Sequence, residues 1–310
     1  MNKKILVITG PTASGKSYLA EELLLRSNRF VVINADSMQV YEELPILSAQ
    51  PTLQEGNELY RLYGFLKFYE NCSVGLWLKH AKQAIEETFE SGNQPVVVGG
   101  TGMYLKALLE GIMEVPDILS DAKGQVQEKF LRLGKEKFYE ILASLDPLAA
   151  RRIHKNDTYR MQRAMEVYVQ TGRSISSFKA SAPSYKAFHI SIEPDRETLY
   201  RNCDSRFEEM LKSGAAEEVK LLFEKIKAQP GKYNIENTLG YRALSSYLSG
   251  ELSLEDATLK TNQATRNYAK RQCTWLNNQF KNKTSIPYSS NMTEIKEKFL
   301  DLVSQRFKFS

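Results

Sequence analysis

The sequence predicts an α/β fold, a parallel sheet flanked by helices and interrupted by an all-helical insertion. Three observations carry the prediction. Short apolar runs alternate with helically spaced apolar segments through the first third of the chain. A glycine-rich octapeptide, Gly10 to Ser17 (GPTASGKS), stands between the first run and the first helical segment. Strand-like patterning then stops near Gly111 and resumes at Ala187–Ile192 (AFHISI).

Taken in order, Lys4–Val7 is apolar enough for a buried strand, and Tyr18–Leu25 has helical periodicity. Phe30–Ile33 is a second strand that ends at Asn34-Ala35-Asp36-Ser37, and Leu62–Leu66 reads as a third. Leu76, Trp77, Ala81, Ala84, Ile85 and Phe89 fall on one face of a helix over Val74–Phe89. Pro95–Val98 is a fourth strand, breaking into Gly99-Gly100-Thr101-Gly102 before a helix over Met103–Leu109. Residues Asp117 to about Pro183 read as consecutive helices rich in cations. After the strand at Ala187–Ile192, helices are expected over Leu199–Lys212, Glu217–Lys227, Gly240–Ser249, Leu254–Asn277 and 292–308. The expected division is a core of residues 1–111 and 187–310 with a helical insertion over 112–186.

Strand, Gly-x-x-x-x-Gly-Lys-Ser, helix is the phosphate-binding P-loop in its proper context. The glycines let the backbone wrap an anion, and the free N–H groups of loop and helix start point at its oxygens. Lys16 adds a point charge, and Ser17 offers a hydroxyl to Mg²⁺. In parallel sheets ligands sit beyond the carboxyl ends of the strands, where Gly10–Ser17, Asp36 and Thr101 all lie. Phosphoryl-transfer enzymes with this loop normally add a second acid at a neighbouring strand end. Here Val96–Val98 runs into Gly-Gly, which counts against a kinase.

Other residues carry two readings each. Asp36 is a turn or N-cap residue or a functional acid, and Thr101 is a helix cap or a hydroxyl facing the crevice. Arg160 and Arg163, with Arg152 and Lys155, form a solvated helix face or a surface for an RNA backbone. In TRNYAKRQCTWL at 265–276, cations interleave with Tyr268 and Trp275, as suits a nucleic acid or simple packing.

Bulk properties exclude several classes. A formal net charge of +5 permits an anionic partner without demanding one. Cys72, Cys203 and Cys273 are far apart, and His80, His154 and His189 lack metal-ligand spacing, so neither a disulfide framework nor a zinc module is readable. With no signal-peptide pattern and no apolar stretch of spanning length, a cytoplasmic protein without membrane attachment is expected.

Several stretches together resemble one family, the tRNA dimethylallyltransferases (tRNA isopentenyltransferases). They are GPTASGKS at 10–17, NADSMQVY at 34–41, VVVGGTGMYLKALLEG at 96–111 and DP at 146–147. RIHKNDTYRMQRAMEV at 152–167, GYR at 240–242 and ATRNYAKRQCTWL at 264–276 follow in the family's order. The resemblance implies a P-loop NTPase-like fold in which Gly10, Pro11, Thr12, Ala13, Ser14, Gly15, Lys16 and Ser17 hold the pyrophosphate of dimethylallyl diphosphate rather than ATP. It implies transfer of the five-carbon group to N6 of the adenine 3′ to the anticodon, with Mg²⁺ on Ser17 assisting. Asp36 would accept the amine proton, Thr101 would help place the reacting groups, and Lys16 would stabilise the departing pyrophosphate. It further implies tRNA contacts from Asp36, Ser37, Met38, Gln39 and Thr101, and from Tyr159, Arg160, Met161, Gln162 and Arg163. Asn237, Thr238, Leu239, Gly240, Tyr241 and Arg242 complete that set, with Lys123 on weaker alignment. A monomer that grips the anticodon stem-loop with its helical insertion is expected.

The chain departs from the family at Glu42-Glu43, where a basic residue is usual, and at Gln50-Pro51, usually lysine-proline. Tyr159 replaces a common glutamine and Tyr60 a histidine. The zinc finger of many eukaryotic relatives is absent, which favours a bacterial-type or organellar enzyme. Three rivals remain: a transferase acting on free adenine nucleotides, a small-molecule kinase, and an RNA-binding module whose P-loop only senses nucleotide.

Overall fold

The computed structural model describes residues 3–52, 58–183, 185–288 and 291–307. In chain order the elements are β1 (Lys4–Thr9), α1 (Lys16–Arg26), β2 (Phe30–Asn34), α2 (Pro45–Ser48), β3 (Tyr60–Arg61), α3 (Val74–Glu90), β4 (Gln94–Gly99) and α4 (Gly102–Glu110). Then come α5 (Ser120–Leu145), α6 (Pro147–Arg152), α7 (Thr158–Thr171), β5 (Lys186–Pro194), α8 (Arg196–Lys212) and α9 (Ala215–Ala228). The last are α10 (Tyr241–Leu248), α11 (Leu254–Gln279), β6 (Thr284–Tyr288) and α12 (Met292–Ser304). The chain divides into two compact units, Met1–Leu109 with Ser184–Ser310, and Glu110–Pro183.

In the first unit all six strands of the described residues pair in parallel, in the order β3-β2-β4-β1-β5-β6. The central strand β1 is buried from Ile5 to Thr9, as a strand covered on both faces must be. One face packs Leu6, Ile8, Val32, Val96, Val98, Ile190 and Ile192 against Leu19 and Leu23 of α1 and Phe299 and Val303 of α12. On α3, Trp77 stacks on Tyr104 at 4.4 Å, and its indole N–H donates to Asn34 O at 2.8 Å. A fully buried indole therefore loses no hydrogen bond.

Two strand expectations change. The third strand is only Tyr60–Arg61, because Leu62 (φ 64) and Gly64 (φ 53) take left-handed backbone and end the extended run. Leu66 pairs instead with the segment after β2, as an isolated bridge to Tyr41. The sheet also gains β6, which the sequence pattern does not announce. Its Pro287 is tolerated because β6 is an edge strand.

The second unit is helical among its described residues, apart from one bridge between Met113 and Ala180. Its core is Val126, Phe138 and Leu142 of α5 with Met161, Ala164 and Met165 of α7. Gly134 (φ 73) kinks α5, a conformation that costs a side-chain-bearing residue more. Asp146 caps α6 through Ala149 N–H at 3.0 Å and also accepts from Ser176 N–H at 2.9 Å. Asp157 caps α7 through Arg160 N–H at 3.1 Å.

Candidate active site

The loop after β1 turns back into α1 through Ala13 (φ 59) and Gly15 (φ 83). Left-handed residues in such a loop let successive N–H groups converge into an anion-binding nest. Holding an alanine there costs about 1–3 kcal/mol. Packing of Ala13 against Leu199, Cys203 and Ala269 holds it in place. The first turn of α1 carries no acidic residue, so the positive end of the helix is not neutralised. Lys16 is only 8% exposed, and its ammonium donates to Pro11 O at 3.2 Å. Burial holds its pKa down to about 8, the nearby Asp36 carboxylate pulls it up and the Arg206 guanidinium pushes it down.

The loop after β2 is built on buried Asn34. Its side-chain amide donates to Asp36 O and Leu62 O, each at 3.0 Å, and its Oδ1 accepts from Asp36 N–H at 2.8 Å. Asp36 Oδ1 in turn accepts from Met38 N–H at 3.0 Å, an Asx-turn. So Asp36 is a turn residue, yet its side chain also lines both cavities described below. Beyond β4, a side chain on Gly99 would collide with the backbone of Ala35, so only glycine lets the two strand ends approach this closely. Thr101 Oγ1 then accepts from Ser37 N–H at 2.9 Å and donates to Ser37 Oγ at 3.3 Å. The hydroxyl thus fixes the Asp36–Ser37 turn from across the sheet.

Helices α8 and α11 supply the remaining walls. Arg206 donates to Thr12 Oγ1 at 3.0 Å, and desolvation lowers its pKa from the ordinary guanidinium value. Gln272 accepts from Thr12 N–H at 2.8 Å and donates to Gly100 O at 2.9 Å, strapping the P-loop to the loop after β4. Two adjoining cavities result. One, of about 380 Å³, is lined by Thr12–Tyr18, Asp36, Asn202, Arg206, Glu209 and Met292. The other, of about 370 Å³, is walled by Met38, Leu47, Cys203, Phe207, Met210, Leu239 and Tyr268 and shares Thr12, Ala13, Asp36 and Arg206 with the first. Burial pushes the Cys203 thiol up to about 11 and raises the Tyr268 phenol, so both stay neutral at pH 7. Two cations held beside a P-loop and opening on an apolar cavity suit an anion carrying a hydrophobic group.

A family model described as IPP transferase matches residues 39–279, and one described as isopentenyl transferase matches residues 3–68. The tRNA dimethylallyltransferase of Rickettsia massiliae (strain Mtu5) is 39% identical over 312 residues, 99% of this chain and 84% of its own. That of Wolbachia pipientis subsp. Culex pipiens (strain wPip) is 38% identical over 298 residues, 95% of this chain and 99% of its own. The chain belongs to the tRNA dimethylallyltransferase family. Solved structures agree. A eukaryotic dimethylallyltransferase acting on tRNA superposes with a TM-score of 0.83 at 26% identity, covering 97% of this chain and 78% of that one. The tRNA delta(2)-isopentenylpyrophosphate transferase of Staphylococcus epidermidis gives 0.67 at 31% identity, covering 98% and 100%.

Against the sites the tRNA dimethylallyltransferase resemblance implies, the first unit gathers most residues in one place. Thr12, Ala13, Asp36, Ser37, Met38, Asn237, Thr238 and Leu239 line the apolar cavity. Gly240 and Arg242 line an adjoining recess with Lys260, and Thr101 lines a groove with Met103, Arg271 and Trp275. Gln39 turns its amide onto Ser48 O and Ala49 O, and Tyr241 is buried, so both side chains brace loops. Trp275 packs on Gly102, whose added Cβ would strike the indole, and so serves packing as well as the groove.

In the second unit Lys123, Tyr159 and Arg160 are exposed, Tyr159 at 79%. Met161 is a correction: it is fully buried in the helical core, so its side chain packs and does not face RNA. Gln162 bonds Gln127, while Arg160 and Arg163 pair with Asp157 at 2.9 Å and Glu166 at 3.6 Å. By contrast Arg151, Arg152 and Lys155 are exposed, with no ion pair among the described residues.

The departures from the family find local partners. Glu42 pairs with Lys67, Glu43 approaches Lys225 at 4.0 Å, and Gln50 donates to Tyr41 O at 2.7 Å. Tyr60 packs edge-on against Tyr63. Sequence reasoning missed Arg206, Gln272 and Asn34. A signal for Arg206 existed: Cys203, Arg206, Phe207 and Met210 share one helix face, and a cation inside an apolar stripe is anomalous.

Proposed function

We propose that the chain transfers a dimethylallyl group from dimethylallyl diphosphate to N6 of the adenine 3′ to the anticodon in tRNA, releasing pyrophosphate. The observation that carries this reading is the shared wall. Thr12, Ala13, Asp36 and Arg206 border both the P-loop cavity and an apolar cavity, so a diphosphate in one places its organic group in the other.

The adenine amine is a poor nucleophile, because its lone pair is delocalised into the ring. The allylic carbon compensates by tolerating positive charge as its bond to oxygen breaks. The amine nitrogen bonds to that carbon, the bonding electrons leave with pyrophosphate, and the amine proton passes to Asp36. Asp36 Oδ1 is occupied by Met38 N–H, while Oδ2 accepts no hydrogen bond from the described residues and is free to take the proton. Lys16, Arg206 and the loop N–H groups are fixed where negative charge grows on the leaving oxygens, so little reorganisation is needed as it develops. Thr101 acts through Ser37, holding the turn that aims Asp36.

The residues at this site suit a Mg²⁺ ion that would be shared between substrate and protein. Among the described residues no group of three or more His, Cys, Asp or Glu side chains could cage a metal. Ser17, exposed at the first turn of α1 and lining the P-loop cavity, would hold an ion that takes its other ligands from phosphate and water. An ion held there would supply positive charge against the departing diphosphate.

For the tRNA, the helical unit supports a macromolecular acceptor over a free nucleotide, since a mononucleotide needs no separate basic surface. The cations best placed for phosphates are Arg151, Arg152 and Lys155, which spend no charge internally. Replacing Arg151 and Arg152 with alanine should therefore flatten the slope of log K against log salt by about one unit per residue. Replacing Arg160 and Arg163 should flatten it less. Filter binding across a salt series separates the two; equal slopes for both pairs would refute the assignment.

Among the described residues no helix is long and apolar enough to cross a membrane. A single chain supplies every group named, and its proposed place is the cytoplasm, where its acceptor is found. The deciding experiment incubates the protein with unmodified tRNA and radiolabelled dimethylallyl diphosphate and analyses the nucleosides. Label in an N6-modified adenosine is expected. Label in AMP alone, or ATP consumption with the prenyl donor untouched, would overturn the proposal.

A further inference from the structure

The P-loop cavity has two ends. At one, Thr12, Ala13, Asp36 and Arg206 are shared with the apolar cavity. At the other, Gly15, Ser17, Tyr18 and Met292 line the P-loop cavity alone. Met292 is the first residue of α12 and lies beyond Gln279, where the longer family match ends. It is held firmly from behind. Asn291 caps the helix through Thr293 N–H at 3.1 Å, Ile295, Phe299 and Val303 are buried in the sheet core, and Lys296 pairs with Glu22 of α1 at 3.5 Å. Its side chain lies on the loop itself. A Cβ added to Gly15 would collide with Met292 Cε and come within 3.5 Å of Sδ.

We propose that Met292 is a specificity-determining residue that closes the outer end of the P-loop cavity to nucleoside phosphates. The inference rests on the reading of Gly10–Ser17 as the prenyl diphosphate site. A P-loop alone binds phosphate without choosing what is attached to it. A prenyl diphosphate has one small organic group, which the apolar cavity takes. A nucleoside triphosphate seated on the same N–H groups must also place a ribose and a base. The apolar cavity is needed by the prenyl group and the incoming adenine, so the remaining path runs over Gly15 and the start of α1, where the Met292 thioether stands. A wall at that position acts against the competitor and leaves the small donor unhindered, which is how a site gains selectivity without new attraction.

The test measures, on the full chain, the constant for inhibition of prenyl transfer by Mg·ATP and the KM for dimethylallyl diphosphate. In Met292→Ala the ratio of the ATP constant to the donor KM should fall at least tenfold. In Met292→Leu, which keeps the bulk, it should stay within about twofold of the parent. An unchanged ratio in Met292→Ala, or an equal fall in Met292→Leu, would overturn the inference, whereas a general loss of loop packing would weaken ATP and donor together and leave the ratio alone. Lys16→Ala in the same assay separates the two layers. If it alters neither constant nor turnover, the assignment of the loop to the diphosphate fails and the Met292 inference falls with it.

Discussion

Replacing Lys16 with alanine is expected to lower turnover by about 10²–10³-fold, the cost of losing one preorganised charge-stabilising donor. The ammonium is buried beside the loop, where a charge is expensive unless something opposite meets it. In the free protein that balance is poor: desolvation and Arg206 outweigh Asp36, and the pKa sits at about 8. An arriving diphosphate supplies the missing negative charge and raises it again. The sign follows. Below pH 8 Lys16 is already charged, and donor binding takes up no proton there. Above pH 8 binding must recharge the amine, so kcat/KM for the donor should fall as pH rises through that value. The alanine variant should lack this alkaline limb as well as the rate. Near-normal turnover, or a limb that survives the substitution, would remove Lys16 from the leaving-group site.

The parts legible in the sequence were those where one local pattern decides the outcome. The P-loop is contiguous, and its spacing reports its own geometry. The strands β1, β2, β4 and β5 are continuous apolar runs because both of their faces are covered. What the sequence hid depends on partners distant along the chain. Gln272 joins residues 12 and 100 from α11, and no spacing rule relates those three positions. Asn34 looks like an ordinary loop residue until Leu62 is found in left-handed backbone with its carbonyl turned to the Asn34 amide. The same carbonyl explains why Leu62–Leu66, apolar enough for a strand, is not one. In the helical unit, charge count alone does not rank the cations. Arg160 and Arg163 share a face, but each has an acid three residues away that takes its charge, while Arg151 and Arg152 at the end of α6 have none.

Asp36→Asn should lower turnover by about 10²–10⁴-fold, the usual worth of a positioned proton acceptor, while tRNA affinity changes little. Asparagine is the informative replacement because Asp36 has two jobs that it separates. The Asx-turn needs only an acceptor at Oδ1 for Met38 N–H, and asparagine forms such turns as readily as aspartate. The loop after β2, with its Asn34 scaffold and its tie to Thr101, should therefore persist. Proton acceptance at Oδ2 cannot, since an amide has no basicity at neutral pH. If Asp36 served only the turn, the variant would retain its rate, and that result would end its role as the base. A second readout tests whether Asp36 and Lys16 are coupled. The Asp36 charge is one of the forces that raise the Lys16 pKa. Removing it should lower that pKa further, moving the alkaline limb of donor kcat/KM toward neutral pH. A shifted limb shows that Lys16 felt the Asp36 charge, and unchanged tRNA affinity beside it shows that the loop has kept its geometry. An unmoved limb would mean that the two groups are not coupled, and the placement of Asp36 beside the diphosphate would be overturned.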